Sequence, residues 1–504
     1  MGEGEASSST LDIESAEHVR YTPDVDQVTM PLMSFVTSGS ETTAGETATW
    51  TGVSLLWEDM ELQPVFATPN FFEGGPDHRM ALRGKTIRAT IHVGSGPLEE
   101  EILWAVRKRA LPAPPKAPRD WPEQKALCLA ALNGPLKTEE GWGHCVGPRW
   151  PHRPFADQAS TLWRLTGEVP PLEKIDMGGS HIPNDAIFFV TGRAKQWRDY
   201  WRNVSKGILN SQQQEGSFRY KGKYLKGHFE DTASGFCAQK AKVLLEYAWL
   251  TGDMEALVGG VKTLESMKRF RTPRGAQTWE LSLHTPDILA SAYLVWAYVR
   301  GYQLTGEADY LEQARRWALT GLPFVYQWGR YPVMVYSTTA VYGATNWVAP
   351  NWMGLPVQWC GTVYAYGLLL LAEHDRTVDW RRVAEGILTA AEQMQYTEGN
   401  VGCLPDSFHL KGQRRNPADI NPCALVSLRR RLAGEIDSLA VGTDGIHRVT
   451  APFPVMVEDD RAMIQGQAGL TYQILIDGER IVEITSQGRD VVSLIEGAPE
   501  SKDN

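Results

Sequence analysis

The sequence has few cysteines and no surplus of positive charge, and both shortages exclude classes of protein. Its six cysteines are scattered through 504 residues without a Cys-x-x-Cys pair, so neither a disulfide framework nor a zinc site is expected. Because 50 Lys and Arg face 60 Asp and Glu, giving a formal charge of -10, no basic stripe is available for nucleic acid. No apolar run reaches about 18 residues, so no membrane span is expected.

The beginning of the sequence also lacks an apolar segment. Residues 1–10 are acidic and rich in Ser, which does not predict a signal peptide. The compartment stays open between cytoplasm and an exported protein whose signal has been removed. What the chain does have in quantity is aromatic residues, with 18 Trp and 17 Tyr, and such rings often provide flat surfaces for ligands.

The residue pattern divides the chain into a β-rich beginning, a helical middle and a β-rich end. Short alternating runs such as 85–93 predict antiparallel strands, and the run of prolines after Leu111 predicts a stiff linker. The predicted units are a disordered N-terminus (1–24), a β-sandwich-like domain (25–111), a Pro-rich linker (112–120), a helical domain (121–432), a small C-terminal β-sheet (433–495) and a polar tail (496–504).

Three helical segments end in the same phrase, Leu-Thr-Gly followed by an acidic residue, at 165–168, 250–253 and 304–307. Gly caps the end of one helix and the acid opens the next, so each phrase predicts a tight turn between antiparallel helices. Longer loops join one helix pair to the next. Five or six such pairs in a circle form a double ring, an (α/α)5-6 toroid, with all long loops on one face. The predicted fold class is therefore multidomain and mainly α.

The helices of the two rings differ in composition. The inner ones are more apolar, whereas the outer ones carry Arg, Lys and Glu on one side, as the two positions require. Inner helices are predicted near 156–166, 231–250, 287–304, 357–373 and 418–432, and outer helices near 122–133, 190–210, 254–270, 308–321 and 379–396.

The stretch from Gln277 to Asp287 concentrates reactive side chains where a long loop meets an inner helix. Glu280 is the candidate general acid, because apolar neighbours can raise its pKa and Trp279 can lie against a sugar ring. His284 and Asp287 are further catalytic candidates, although Asp287 also suits a helix cap.

Other candidates lie at the starts of inner helices and on the long loops. Asp231 is a candidate base, with a helix cap as its alternative. Rings and amides interleaved on the loop before residue 360 have the composition of a sugar-binding surface, with a core plug as the alternative. The candidate substrate-binding residues are Trp279, Glu230, Tyr336, Tyr342, Asn346, Trp347, Trp352, Trp359, Trp142, His144 and Asp406.

The chain resembles the six-hairpin glycosidase superfamily, the α/α toroids of glycoside hydrolases and polysaccharide lyases. The resemblance covers roughly residues 121–432 and is carried by the Leu-Thr-Gly turns, by Asp231-Thr232-Ala233-Ser234, and by Trp279-Glu280 with His284-Thr285-Pro286-Asp287. It implies a glycoside hydrolase acting on a poly- or oligosaccharide. Inversion is favoured, with about 6.5–9.5 Å between acid and base. No cofactor or metal is expected, and the expected partner is a carbohydrate.

Three other functions stay open. A polysaccharide lyase would abstract a proton from a uronic acid with Tyr or His; His284, Tyr336 and His144 are candidates, with Arg274 or Arg153 neutralising the carboxylate. A sugar isomerase or epimerase uses a similar barrel, and a non-catalytic carbohydrate-binding protein needs no acid at all. Sugar, linkage, exo or endo action and oligomeric state are not indicated by the sequence.

Overall fold

A computed structural model describes residues 32–38, 50–57, 89–114, 116–223, 230–279, 281–325, 358–409 and 414–495. The α-helices of these residues are α1 (Leu98–Arg109), α2 (Trp121–Asn133), α3 (Ala156–Thr166), α4 (Ala186–Val190), α5 (Ala194–Ser211), α6 (Ser234–Thr251), α7 (Met254–Met267), α8 (Ile288–Thr305), α9 (Ala308–Gly321), α10 (Gln358–Leu371), α11 (Trp380–Met394) and α12 (Cys423–Leu432).

The strands of the same residues fall into five antiparallel groups. They are β1 (Leu32–Ser38), β2 (Trp50–Trp57), β3 (Ala89–Gly94), β4 (Lys137–Thr138), β5 (Gly141–Trp142), β6 (Leu404–His409), β7 (Arg414–Ile420), β8 (Ala440–Thr443), β9 (Arg448–Ala451), β10 (Val455–Glu458), β11 (Arg461–Ile464), β12 (Thr471–Ile476), β13 (Arg480–Thr485) and β14 (Asp490–Ser493).

The helices form the predicted double ring. In the inner ring α6 packs on α8, α8 on α10, α10 on α12 and α12 on α3, and the short helix α4 with α5 closes the ring between α3 and α6. The outer helices α2, α7, α9 and α11 pack against the inner helices that neighbour them in the chain. Helix α8 is apolar almost all round, as a helix enclosed on all sides must be.

Glycine ends three inner helices and sets the tight turns. Gly167, Gly252 and Gly306 are left-handed, with φ of 80°, 77° and 75°, and each donates its N–H to a carbonyl of the preceding helical turn. In the second turn Asp253 then caps α7 by accepting from Ala256 N at 2.9 Å. The three turns predicted from the Leu-Thr-Gly phrases are confirmed, and the long connections therefore gather at the N-terminal ends of the inner helices.

Three helices and one strand pair depart from the sequence prediction. The helix predicted over 418–432 begins only at Cys423, because residues 414–420 form strand β7, paired with β6. Helix α1 replaces the end of the predicted β domain, and α4 was not predicted. With five residues, α4 is too short to show a helical period in the sequence.

The N-terminal strands form one antiparallel sheet in the order β1–β2–β3, and α1 packs on it. Buried Glu101 of α1 bonds to the Ser54 hydroxyl and to Nδ1 of His92. The second sheet of a β-sandwich is not seen among the described residues, and 39–49 and 58–88 lie outside them. The sandwich stays a prediction, as do the domain boundaries.

The C-terminal segment is β, as predicted, but it holds two sheets. One has the order β13–β12–β9–β8 and the other β10–β11–β14. Asp477 and Gly478 both have positive φ, 52° and 72°, which is the requirement of a type I′ hairpin turn. Arg448 Nη1 donates to Trp249 O at 2.8 Å and joins the first sheet to the end of α6. Among the described helices, none has both the length and the apolar character needed to cross a bilayer.

Candidate functional site

An unbroken run of aromatic rings lies on the face where the long loops gather. Trp279 is tilted against Trp359, with ring centroids 5.8 Å apart. Trp359 stacks flat on His181 at 4.1 Å, and His181 meets His144 edge-on at 4.7 Å. Trp150 lies at 5.8 Å from His144 at the far end. We call these five side chains the aromatic run.

Asp406 contacts the aromatic run at Trp359. Its Oδ1 accepts a hydrogen bond of 3.1 Å from Trp359 Nε1. The pairing of β6 with β7 is irregular between Pro405 and Ser407, so Asp406 is left out of the strand ladder and can turn towards α10. Burial raises the pKa of Asp406 to about 6, although the bond from Trp359 opposes the shift.

Three side chains converge on one carbonyl group and fix the histidine end of the run. Gly179 O accepts from His144 Nδ1 at 2.9 Å, from Gln158 Nε2 at 2.9 Å and from Asn421 Nδ2 at 2.7 Å. Gly179 has a φ of 115°, and an added Cβ would lie 2.0 Å from Gln158 Oε1. Only glycine fits there.

The loop that carries His181 is held from below by a buried acid. Asp157, in the first turn of α3, accepts from Ser180 N and Asn184 N at 2.6 Å each. Burial first, and the charge of Asp185 second, raise the pKa of Asp157 well above its usual range. The carboxylate of Asp157 therefore orders the loop between His181 and α4.

Both histidines of the run are kept neutral by their surroundings. Burial lowers the pKa of His144, against a smaller opposing effect of the bond to Gly179. Burial also lowers the pKa of His181 well below its usual value, and the neighbouring His144 adds to the effect. Since Nδ1 of His144 donates to Gly179 O, its Nε2 is the basic nitrogen.

Asp287 and His284, which follow Trp279 in the chain, both contact backbone groups. Asp287 is 1% exposed, and its oxygens accept from Ala290 N at 2.7 Å and Ala276 N at 3.1 Å. Burial raises the pKa of Asp287 to about 7. The carboxyl thus caps α8, and its catalytic role stays a prediction. His284 Nε2 bonds to Glu230 O at 2.8 Å, while burial lowers its pKa.

The acids at the start of α6 are held by arginines. Asp231 forms an ion pair with Arg219 at 2.7 Å, and Glu230 forms one with Arg269 at 2.8 Å. Asp231 is about one-third exposed, with a side-chain accessibility of 35%. The role of Asp231 as the base stays a prediction.

Of the remaining candidate catalytic and substrate-binding residues, one belongs to the core and six lie outside the described residues. Trp142 is 3% exposed and donates from Nε1 to Leu132 O at 2.9 Å, so its ring is part of the core beneath the site. The others lie outside the described residues: Glu280, Tyr336, Tyr342, Asn346, Trp347 and Trp352.

Sequence reasoning missed His181, Gln158 and Asn421. The one sequence feature that could have drawn attention to His181 is Gly178-Gly179-Ser180 directly before it, which predicts a tight approach of backbone. Gln158 lies in the first turn of α3, and Asn421 lies just before α12. No sequence motif indicated a functional role for either residue. Within the described ranges no group of three His, Cys, Asp or Glu side chains could hold a metal ion.

Fold and site together define a protein built on an α/α toroid with an acid-bearing aromatic loop face. No protein-family model matches the chain, and no curated protein matches its sequence. An unsaturated glucuronyl hydrolase from Streptococcus agalactiae is similar in structure, with 8% identity over 63% of this chain and 92% of that chain and a TM-score of 0.41.

Two further solved structures are similar at the same level. An unsaturated glucuronyl hydrolase specific for heparin has 12% identity, covers 62% of this chain and 96% of its own, and has a TM-score of 0.40. An α-mannanase of glycoside hydrolase family 76 from Bacteroides thetaiotaomicron has 10% identity, covers 63% and 96% respectively, and has a TM-score of 0.37.

Proposed function

We propose that this protein is a carbohydrate-active enzyme, a glycoside hydrolase that cleaves a poly- or oligosaccharide on its loop face. The observation that carries the proposal is Asp406, a carboxyl group with a pKa of about 6 that is bonded to Trp359 within the aromatic run. We assign Asp406 as the general acid, in place of the Glu280 that the sequence favoured.

The chemistry supports this assignment. A glycosidase acid must hold a proton near neutral pH and deliver it to the leaving oxygen, and burial raises carboxyl pKa values in this way. Oδ1 of Asp406 is oriented by Trp359 Nε1, and among the described residues no donor is bonded to Oδ2. Oδ2 is therefore the oxygen that can carry the transferable proton.

The aromatic run supplies a surface for the sugar. Trp279 is 47% exposed, whereas Trp359 is 6% exposed. The ring of Trp279 is therefore open to solvent, whereas the ring of Trp359 beside it is buried. Indole faces pack on the C–H surfaces of sugar rings. Buried rings also exclude water from the neighbouring carboxyl group of Asp406.

A hydrolase of this type needs a second carboxylate. Glu280, which follows Trp279 in the sequence, and Asp231, which is paired with Arg219, are the two candidates. We infer an inverting reaction, in which the second carboxylate activates water about 6.5–9.5 Å from the acid. Asp287 is the weaker candidate because backbone amides already occupy both of its oxygens.

One observation favours a polysaccharide lyase as the second candidate function. His144 lies in the aromatic run with its Nδ1 committed to Gly179 O, and burial lowers its pKa. A neutral histidine with a fixed tautomer is suited to abstract a proton from a uronic acid. In that reaction Asp406 would protonate the leaving oxygen.

The test is a polysaccharide screen with the full chain, followed by Asp406→Asn. New reducing ends without ultraviolet absorbance identify a hydrolase, and absorbance of an unsaturated product identifies a lyase. Loss of about 10²–10⁴ in rate is expected for Asp406→Asn, the usual contribution of general acid catalysis.

Asp375→Asn is the matched control, because Asp375 likewise accepts from an indole, Trp380 Nε1, but at the far end of α10. Its activity per folded molecule should match the unmodified protein. If Asp406→Asn retains full activity on a substrate found in the screen, the assignment of the acid is wrong.

A further inference from the structure

His181 has no role in the reaction proposed above, although it is the middle member of the aromatic run. Its imidazole stacks flat on Trp359, with centroids 4.1 Å apart and ring planes at 10°, and it meets His144 edge-on at 4.7 Å. Trp359 in turn donates to Asp406, the proposed acid. His181 therefore touches the indole that orients the proposed acid.

The backbone on both sides of His181 is fixed by buried polar groups. Two residues before it, Gly179 O accepts from three side chains at 2.7 to 2.9 Å. The N–H groups of Ser180 and Asn184 donate to Asp157, which is fully buried, at 2.6 Å each. Burying a carboxyl group costs free energy, and here that cost is spent on holding one loop. A side chain on a loop held in this way has a restricted position, as a binding site requires.

The nitrogens of His181 have no partner of their own. Among the described residues, none is hydrogen-bonded to Nδ1 or Nε2 of His181, whereas Nδ1 of His144 is bonded to Gly179 O. The side chain of His181 is partly exposed. A ring that only filled the space against Trp359 would be better as phenylalanine, because imidazole nitrogens without partners are costly to desolvate. The fixed loop and the free nitrogens together indicate contact with a ligand.

The imidazole of His181 suits a hydroxyl group and not an anion. Its surroundings lower its pKa well below the usual value, first by burial and then through neighbouring His144, so the ring is neutral at pH 7. A neutral imidazole has one N–H donor and one acceptor nitrogen, and a sugar hydroxyl can bond to either. It offers no positive charge to a carboxylate or sulfate, and ionised Asp406 next to Trp359 would repel such a group.

We propose that His181 is a specificity-determining residue, whose imidazole bonds to a hydroxyl group of a neutral sugar lying against the aromatic run. This inference rests on the proposed function. It narrows the substrate to a poly- or oligosaccharide whose unit at His181 carries neither carboxylate nor sulfate. Hydrogen bonds to sugar hydroxyls that strengthen in the transition state also contribute to glycoside hydrolysis.

The test measures binding to the full chain carrying Asp406→Asn, so that cleavage does not consume the ligand. Cellotetraose, xylotetraose, mannotetraose and maltotetraose are the neutral probes, and tetragalacturonate is the anionic probe. Tryptophan fluorescence is the signal, because Trp279 and Trp359 belong to the aromatic run. At least one neutral tetraose should bind saturably, and tetragalacturonate should bind more weakly than that tetraose.

His181→Phe in the same protein tests the contact, and His374→Phe is its matched control. Phenylalanine keeps a ring against Trp359 but removes both nitrogens, so the affinity for the neutral tetraose should fall about tenfold, the size expected for one hydrogen bond. Burial also lowers the pKa of His374, whose ring meets Tyr302 at 5.2 Å, but His374 lies beyond the other end of α10. His374→Phe should leave the affinity unchanged.

Chemical modification provides a test that needs no substitution of His181. Diethyl pyrocarbonate adds to free nitrogens of neutral imidazoles, and mass spectrometry of the peptides locates the modified residues. His181 should react, and a saturating concentration of the neutral tetraose should protect it. His374 serves as the reference, because its modification should not depend on the tetraose.

Four results would each overturn the proposal. They are no saturable binding of any neutral tetraose, equal or tighter binding of tetragalacturonate, undiminished binding by a folded His181→Phe protein, and a His181 that stays unreactive or unprotected. Failure of the proposed hydrolysis is a separate result. It would appear as binding of the tetraose without release of reducing ends by the protein that retains Asp406, and the sugar contact of His181 would then stand.

Discussion

The carboxyl group of Asp406 should make the protein less stable at neutral pH, and Asp406→Asn should reveal this. Because burial raises its folded pKa to about 6, the folded protein holds the proton more tightly than the unfolded chain does. Stability contributed by the protonated form is complete below the unfolded pKa of about 4 and is lost as the pH rises towards 6. Asparagine resembles the protonated carboxyl and can keep its oxygen towards Trp359 Nε1.

The size of the effect follows from the pKa values. A pKa raised from 3.8 to about 6 corresponds to about two units, and each unit is worth about 1.4 kcal/mol. Asp406→Asn should therefore raise the free energy of unfolding by about 2–3 kcal/mol at pH 7. At pH 4, where the folded Asp406 is protonated, the two proteins should be nearly equal.

Thermal unfolding of both proteins between pH 4 and 8 measures the effect. Asp375→Asn is the control of opposite sign, because Asp375 also accepts from an indole but is paired with Arg315 at 2.7 Å. Its pKa is lowered by the bonds from Trp380 and Arg315, which outweigh the opposing desolvation. The ionised Asp375 thus stabilises the fold above its unfolded pKa, and its replacement should destabilise the protein at pH 7.

A stabilised Asp406→Asn protein that has also lost activity would show that the carboxyl is kept in an unfavourable environment for its chemistry. The reasoning is refuted if Asp406→Asn is no more stable, relative to the unmodified protein, at pH 7 than at pH 4. In that case the carboxylate would be solvated or paired in the folded protein, and a role as acid near neutral pH would lose its basis.

Three further predictions concern the loop face. Trp359→Phe keeps an aromatic ring but removes the N–H that favours ionised Asp406, so the alkaline limb of the pH–rate profile should move to higher pH. An unchanged limb would show that the bond from Trp359 does not affect the group that sets this limb. Gly179→Ala puts a Cβ 2.0 Å from Gln158 Oε1 at a positive φ, and we expect a loss of about 2 kcal/mol or more in chemical denaturation. Glu280→Gln should reduce the rate about 10²-fold or more with little change in substrate affinity. Unchanged kinetics would show that another carboxylate is the base.

The fold was predictable because the residues that end one helix and begin the next are neighbours in the sequence. A glycine after an apolar run and an acid at the next helix start are visible in the sequence. Gly252 and Asp253 show both within two residues, and in the structure Gly252 is left-handed and Asp253 caps α7. The helix pairs follow from this pattern. The strands β6 and β7 were missed because their residues, which include Pro405 and Pro417, alternate poorly and pair with a bulge.

The candidate site was predictable in part. Trp279, Trp359, His144 and Asp406 were named from composition and loop position, and the structure brings these four together. His181 was not named, because its place between Trp359 and His144 depends on a loop held by contacts from distant parts of the chain. No pattern in the sequence reports such contacts.

Whether an acid near the loop face acts as a structural or a reactive group depends on how many donors it meets. Asp157 and Asp287 each accept from two backbone amides, which commits both oxygens of each carboxyl to fixed partners. Asp406 has one donor, the Trp359 indole, among the described residues. All three pKa values are raised by burial, so desolvation alone does not distinguish them. The oxygen left without a donor does, and it supports our proposal that Asp406 carries the transferable proton.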